Sequence, residues 1–217
     1  LHDALPISSS FKLNKDVFGF PIQWIPKNPR WQNYVDIWTQ IPLLTFVKNT
    51  VKITVVVTLL QLFTSSFAAY AFAKMQFKGK NVLFLGYIAT IAVPWQAYMV
   101  PQFMMMSSWH LNNTHLAIMC LQAFSAFGVF LMKQFYEGVP TELCEAARID
   151  GLSEYGIWWH IMLPLSLPAL STLTIFTFVN TWNDFLGPLI YLTKTELKTI
   201  QIGLRMFITQ YSAEYGL

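Results

Sequence analysis

Charge is scarce in this chain. Asp, Glu, Lys and Arg make up 12% of its 217 residues and hydrophobic residues make up 54%, while the stretches 81–132 and 155–183 contain no charged side chain. This composition excludes an ordinary soluble globular domain and is typical of membrane proteins. The net charge of +3 is too small and too dispersed to indicate nucleic-acid binding.

Cysteine is also scarce, and the residue patterns of catalysis are missing. Cys120 and Cys144 have neither the spacing of metal ligands nor that of a disulfide framework. No Ser/His/Asp, Cys/His or metal-ligand pattern occurs in the sequence. We therefore expect two reduced thiols, no metal and no catalytic residues, so the chain is not expected to be an enzyme.

Apolar residues are abundant, and they fall into four stretches that can cross a hydrocarbon core roughly 30 Å thick. These predicted spans are 53–73, 82–106, 115–132 and 165–182. Pro94 and Pro101 lie inside the second span and predict a kink or a break, because each removes a helix hydrogen bond. The expected fold class is therefore all-α, a bundle of membrane-spanning helices.

The segments outside the spans suggest how the chain is oriented. Apolar residues recur at spacings of three and four over 31–41, which predicts an amphipathic helix at the membrane interface within an outer segment, 1–42. Three lysines follow the first span and none follows the second. This asymmetry places the lysines in the cytoplasm and both termini outside. Beyond residue 192 the chain turns polar again.

A charged loop, 133–164, separates the third and fourth spans and should therefore be cytoplasmic. It contains five acids and two bases between residues 133 and 154. Thr141 begins a predicted helix that Gly151 ends, and Ser153 is placed to cap a second short helix. Pro164 and Pro168 should then start a new span. We interpret the loop as a docking surface for an aqueous partner.

Polar side chains within or beside the spans are candidates for a translocation path. They are Gln96, Asn180, Asn183 and Asp184. Two structural interpretations stay open: Asp184 could cap the next turn at the interface, and the kink beside Gln96 could be satisfied by neighbouring helices.

One motif in the loop has a specific spacing. Glu145, Ala146 and Ala147 are followed after three residues by Gly151 and after nine more by the run from Ile161 to Pro164. This pattern resembles the EAA signature of permease subunits in binding-protein-dependent ABC importers. The resemblance implies a surface for coupling to an ATPase, with these residues in it: Glu145, Ala146, Ala147, Asp150, Gly151, Ile161, Leu163 and Pro164. Glu145 can pair with a basic group, and the two alanines allow close approach.

Wider stretches are similar to MalG-type carbohydrate permease subunits, notably AAYAFAKMQFKGK at 68–80 and NTWNDFLGPL at 180–189. The resemblance implies a multi-pass protein of the bacterial or archaeal inner membrane that forms half of a sugar path. Its implied partners are a second, MalF-like permease, an ABC ATPase dimer, an extracytoplasmic solute-binding protein and membrane lipid. No cofactor is expected in this chain, because ATP and Mg belong to the ATPase. Such subunits have about six spans, so 43–217 should be a permease domain truncated at both ends.

Other interpretations remain open. An ABC permease for glycerol-phosphate, polyamine or phosphate would carry the same loop. A membrane enzyme is disfavoured by the missing catalytic patterns, and a channel subunit by the absence of repeated charged or carbonyl-filter motifs in the spans.

Overall fold

The computed structural model describes residues 41–210, with side chains as far as residue 206, and residues 10–12, 25, 29, 31, 32, 34, 35 and 38. The described residues are largely helical and contain no strand. The chain divides into two compact units, one of Leu1–Thr50 with Thr193–Leu217 and one of Val51–Leu192. The all-α expectation is therefore confirmed for the part of the chain that the structure describes.

The helices are named here in chain order. They are α1 (Leu43–Lys74), α2 (Lys80–Ala89), α3 (Met99–Ser108), α4 (His115–Leu121), α5 (Ala126–Glu137), α6 (Thr141–Ile149), α7 (Glu154–Leu165), α8 (Leu167–Trp182), α9 (Leu186–Tyr191) and α10 (Ile200–Gln210). Short 3-10 helices occupy Thr90–Ala92, Trp95–Ala97 and Thr195–Leu197.

Only α1, among the described residues, is long and apolar enough to cross a membrane as one unbroken helix, and it contains the predicted span 53–73. Two further pairs reach the required length together but are bent, α4 with α5 by 43° and α7 with α8 by 79°. By length and composition the described part thus holds one to three spans, where the sequence pattern predicts four.

The second predicted span, 82–106, is divided between α2, two 3-10 helices and α3. The break lies at Val93 and Pro94, whose backbones are extended, so the interruption expected at Pro94 is confirmed. The one expected at Pro101 is wrong. Pro101 lies in the first turn of α3, where a backbone N–H has no intrahelical acceptor and its loss costs nothing.

The turn into α8 lies at Ser166, between the two prolines expected to reset the chain. Pro164 sits inside α7, and Pro168 occupies the first turn of α8, where proline is tolerated. Five residues of α7, Trp158–Met162, are wound as a π-helix. A π-helical turn of this kind is rare and is frequently found at functional sites.

The unit of Leu1–Thr50 and Thr193–Leu217 pairs the start of α1 with α10. The hydroxyl of Thr50 accepts a hydrogen bond of 2.9 Å from the backbone N–H of Ile200, and Phe46 is buried beside Ile41 and Ile200. Helix α10 was not expected, since the sequence turns polar after residue 192. Of the predicted amphipathic helix at 31–41, the structure describes residues 31, 32, 34, 35, 38 and 41, and those at 32, 34, 35 and 38 are helical; the other five residues lie outside the described part.

In the unit of Val51–Leu192, the core lies where α1, α5, α6, α7 and α8 meet. Gly128 of α5 permits the closest approach in it, because a Cβ there would meet the Oγ of Ser65 on α1 and come within 3.3 Å of Leu173 on α8. Helices in a membrane are not driven together by the hydrophobic effect, so their association relies on van der Waals packing. Small residues at helix contacts improve this packing because they let the backbones approach closely.

We predict that Gly128→Leu lowers the stability of the subunit in detergent by about 1–3 kcal/mol, because the added side chain overpacks the contact of α5 with α1 and α8. The matched control is Gly86→Leu on α2, where a Cβ would meet nothing within 4 Å. Thermal unfolding of the purified protein measures both. Equal melting temperatures for the two variants would contradict the close packing at Gly128.

Candidate functional site

The charged loop contains a rigid turn. Gly151 follows α6 in the left-handed conformation, with φ of 86°. Its N–H donates to the carbonyl of Arg148 at 3.0 Å, and the N–H of Leu152 donates to the carbonyl of Ala147 at 3.0 Å. This pair of bonds is a Schellman motif, which satisfies the last carbonyls of α6 and favours glycine at its left-handed position. The predicted helix end at Gly151 is confirmed.

The second helix of the loop also begins where it was expected. The hydroxyl of Ser153 accepts a hydrogen bond of 3.2 Å from the N–H of Gly156, which caps the start of α7. Glu154 lies in the first turn of α7, where a carboxylate is favoured by the helix dipole. The sequence Gly151 to Glu154 therefore fixes the direction of α7 relative to α6 through local bonds.

The motif residues divide into an outward and an inward set. Glu145, Ala146, Asp150, Gly151 and Pro164 are exposed. Ala147 is only 4% exposed and packs in the core, and Ile161 and Leu163 pack against the same cluster.

The inward set corrects one expectation. Ala147 packs in this chain's own core, although the motif predicts it on a surface open to a partner. Because α6 has 3.6 residues per turn, adjacent alanines point in directions about 100° apart. Only Ala146 of the pair faces outward.

An ion pair ties α6 to α7. The guanidinium of Arg148 donates from Nε to Oε1 of Glu154 at 2.6 Å and from its terminal nitrogen to Oε2 at 3.2 Å. The hydroxyl of Tyr70, on α1, donates to the same Oε2 at 2.5 Å. The three side chains, here called the loop tether, hold both loop helices to α1. No local sequence pattern indicates this contact, because Tyr70 is 84 residues from Glu154.

The loop tether has a defined pH dependence. Hydrogen bonds from Arg148 and then from Tyr70 lower the pKa of Glu154. A carboxylate with a lowered pKa stabilises the fold above its ordinary pKa, which is about 4.3 for glutamate, and this contribution is lost as the pH falls through the lower folded-state value. The tether is therefore fully formed at neutral pH.

Aromatic and backbone contacts reinforce the attachment to α1. The fully buried ring of Trp158 meets Phe63 and Phe67 edge to face, at centroid distances of 5.5 and 5.2 Å. Lys74, at the end of α1, donates to the carbonyl of Val139 at 2.5 Å. The loop is thus fixed to α1 by charge, ring packing and a backbone bond.

A cavity of about 640 Å³ forms the second part of the site. It lies within the unit of Val51–Leu192 and is bounded by residues of α1, α3, α4, α5, α8, α9 and the break between α2 and α3. Its polar lining consists mainly of Gln61, Gln102, Gln122, Asn180, Thr177, Thr181 and Asp184. Its volume falls in the range of small-molecule sites, roughly 300–1,000 Å³.

A hydrogen-bond network crosses one wall of this cavity. Gln61 accepts from the hydroxyl of Thr177 at 2.9 Å and donates to the backbone carbonyl of Gln122 at 2.7 Å. The side-chain amide of Gln122 donates to Oδ2 of Asp184 at 2.7 Å, and Oδ1 accepts from the N–H of Gly187 at 3.1 Å. The network therefore joins α1, α8 and α9 to the bend between α4 and α5.

The predicted path residues are split by this geometry. Asn180 and Asp184 line the cavity, whereas Gln96 and Asn183 are exposed and do not line it. The capping role considered for Asp184 is also present, through the N–H of Gly187. Three glutamines that line the cavity, at 61, 102 and 122, were not among the predicted path residues. Each is an isolated polar residue within an apolar run, a pattern that could have indicated a path residue.

The described residues also show whether the chain could bind a metal ion. Within the part of the chain that the structure describes, no three His, Cys, Asp or Glu side chains come together as a metal ion requires. Burial raises the pKa of the Cys144 thiol, whose Sγ lies 3.7 Å from the Sδ of Met162. A raised pKa keeps the thiol protonated and unreactive.

A polar cavity among bent, apolar helices, with a rigid charged loop fixed to one of them, is typical of membrane transport proteins. The chain matches the family described as "Binding-protein-dependent transport system inner membrane component" over residues 61–216. It belongs to that family.

Two curated relatives are similar over most of the chain. The arabinooligosaccharides transport system permease protein AraQ of Halalkalibacterium halodurans is 36% identical over 214 residues, which are 97% of this chain and 77% of the relative. The lactose transport system permease protein LacG of Rhizobium radiobacter is 36% identical over 86% of this chain and 68% of the relative.

A solved structure shares the fold. A chain in the crystal structure of a bacterial ABC transporter that imports the acidic polysaccharide alginate superposes with a TM-score of 0.87 and 26% identity, over 95% of this chain and 73% of that one. The protein is therefore a membrane-bound permease subunit of an ABC importer. It works with an ATPase and a substrate-binding protein, and the ATPase activity lies in the partner subunit.

We predict that Glu154→Gln loosens the loop at neutral pH. Backbone amides around 148–156 should exchange with deuterium about two- to fivefold faster, since a partly exposed ion pair contributes about 0.5–1 kcal/mol. Hydrogen-exchange mass spectrometry measures the change in the full-length subunit. Glu196→Gln removes an exposed carboxylate outside the loop and is the control. Unchanged exchange in Glu154→Gln would show that the tether does not hold the loop.

Proposed function

We propose that this subunit forms half of the translocation path of an importer for a sugar or oligosaccharide, and that its loop 133–164 couples the path to ATP hydrolysis. Its further partner is a second permease subunit. The chain crosses the inner membrane of a bacterium or archaeon several times, and it holds neither ATP nor Mg itself, because both act in the ATPase. The names of the relatives, which transport arabinooligosaccharides and lactose, support a carbohydrate cargo.

The observation that carries the coupling role is the outward surface of α6. Ile149 is 86% exposed there, close to the exposed Glu145, Ala146 and Leu143. On a loop predicted to be aqueous, Ile149 and Leu143 are apolar surface that a partner protein could bury. Glu145 supplies a carboxylate for a basic partner group, and Ala146 lets the partner approach closely.

The loop is also built to transmit movement. Its two helices are fixed to each other by the Schellman motif and the loop tether, and to α1 by Tyr70, Lys74 and the rings around Trp158. Helix α7 continues across Ser166 into α8, which lines the cavity through Thr177 and Asn180. A displacement of α6 by the ATPase would therefore act on two helices that line the path.

We predict that Gly151→Val uncouples transport while the subunit still inserts and assembles. Valine in the left-handed conformation costs about 1–2 kcal/mol and shifts the angle between α6 and α7. Uptake per ATP hydrolysed should fall on the order of tenfold, the equivalent of about 1.4 kcal/mol. The measurement uses the full-length importer in proteoliposomes with labelled lactose and arabinotriose.

The matched control is Gly79→Val. Gly79 also has a positive φ, of 81°, and at both glycines a Cβ would meet nothing within 4 Å, so the backbone strain is equal. Gly79 lies between α1 and α2, outside the loop. If both variants retained normal coupling, or if the ATPase did not copurify with the wild-type subunit, the proposed coupling role would be wrong. Uptake of a phosphate or a polyamine, without uptake of either sugar, would show that the proposed carbohydrate cargo is wrong.

A further inference from the structure

The cavity contains polar groups that the protein itself leaves unused. Among the described residues, the exposed side-chain amide of Asn180 and the half-buried amide nitrogen of Gln102 line the cavity and make no hydrogen bond within the protein. A ligand in the cavity can therefore supply partners for both groups. Their convergence on one cavity indicates a ligand that carries several hydroxyl groups.

Aromatic rings supply the complementary surface. Trp95, Tyr98 and Tyr191 line the cavity together with three phenylalanines. The indole of Trp95 is held in place by a hydrogen bond of 2.8 Å from its Nε1 to Oε1 of Gln102. A pyranose ring presents apolar C–H faces and a rim of hydroxyls, so fixed aromatic faces next to amide groups match both of its surfaces.

The charge of the lining determines which saccharides this half of the path favours. Asp184 is an acid, and no Lys, Arg or His is found among the described residues that line the cavity. The carboxylate of a uronic acid would be buried there without a cation, which is costly. An uncharged sugar carries no such cost, and its hydroxyls can donate to the second lone pairs of the Asp184 oxygens, which already accept from Gln122 and Gly187.

We propose that the cavity binds an uncharged saccharide unit and excludes uronates, with Asn180, Gln102 and Asp184 as hydrogen-bond partners and Trp95 as the stacking surface. This inference rests on the proposed function and adds the chemical class of the ligand and the residues that select it. The proposal differs from what the structural neighbour carries, since that importer transports an acidic polysaccharide.

The test is protection of an introduced cysteine in the full-length, assembled importer. Asn180→Cys is made in a background with Cys120→Ser, because Cys120 is exposed while Cys144 is buried. The rate of modification by N-ethylmaleimide is measured without added saccharide and then in the presence of lactose, arabinotriose or an alginate trisaccharide. Val179→Cys is the matched control, since Val179 is adjacent on α8 but does not line the cavity.

A neutral sugar present at about four times its Kd should slow modification at Asn180→Cys about fivefold, because the fraction of unoccupied sites falls by the factor 1 + [L]/Kd. It should leave Val179→Cys unchanged, and the alginate trisaccharide should protect neither position. The variant Asp184→Asn is tested in the same complex with native Asn180. It should still bind the neutral sugar, but with lower affinity, because one acceptor oxygen is replaced by a donor amide.

The possible outcomes distinguish an error in the proposed binding site from an error in the proposed transport function. If the wild-type importer accumulates lactose or arabinotriose but neither sugar protects Asn180→Cys, the proposed site is wrong and the proposed function stands. Equal protection by the alginate trisaccharide overturns the selection against uronates. If the wild-type importer accumulates neither neutral sugar, the carbohydrate cargo and the site are overturned together.

Discussion

The structure depends on one constraint, the need to satisfy backbone carbonyls wherever a helix of the bundle stops. Side chains of α1 meet this need at successive points. Gln61 and Thr64 donate to the carbonyls of Gln122 and Ala123, at 2.7 Å each, where α4 gives way to α5. Lys74 donates to the carbonyl of Val139 just beyond the end of α5. Because α1 satisfies these groups, the neighbouring helices can bend.

The same helix links the cavity to the loop. Gln61 belongs to the cavity network and Tyr70 to the loop tether, and nine residues of helix separate them by about 13 Å. Helix α8 provides a second connection, since it follows α7 directly and carries Thr177 and Asn180 into the cavity. In the proposed importer, movement of the loop and a change in the cavity would therefore be parts of one displacement. The π-helical turn at Trp158–Met162 lies at the start of this second connection.

Local features of the loop could be predicted from sequence. The turn at Gly151 and the cap at Ser153 depend on residues within a few positions of each other, as does the break at Pro94. Pro101 shows the limit of such rules, because the cost of a proline depends on whether its position has an intrahelical acceptor, and this follows from where the helix begins. Helix α10 was missed for a related reason, since its helical conformation is supported by a distant contact between Thr50 and Ile200.

The sequence by itself determined the membrane class, the all-α fold and the spacing of the coupling motif, because composition, periodicity and turn residues act locally. Only the tertiary structure decided that Ala147 faces inward while Ala146 faces outward, that Glu154 joins Arg148 to Tyr70, and that Asn180 and Asp184 share a cavity with Gln61, Gln102 and Gln122. These relations join residues far apart in the sequence, and the bond from Thr177 to Gln61 in the same cavity spans 116 positions. Such pairs are set by how the helices pack and bend, and no local pattern in the sequence records that packing.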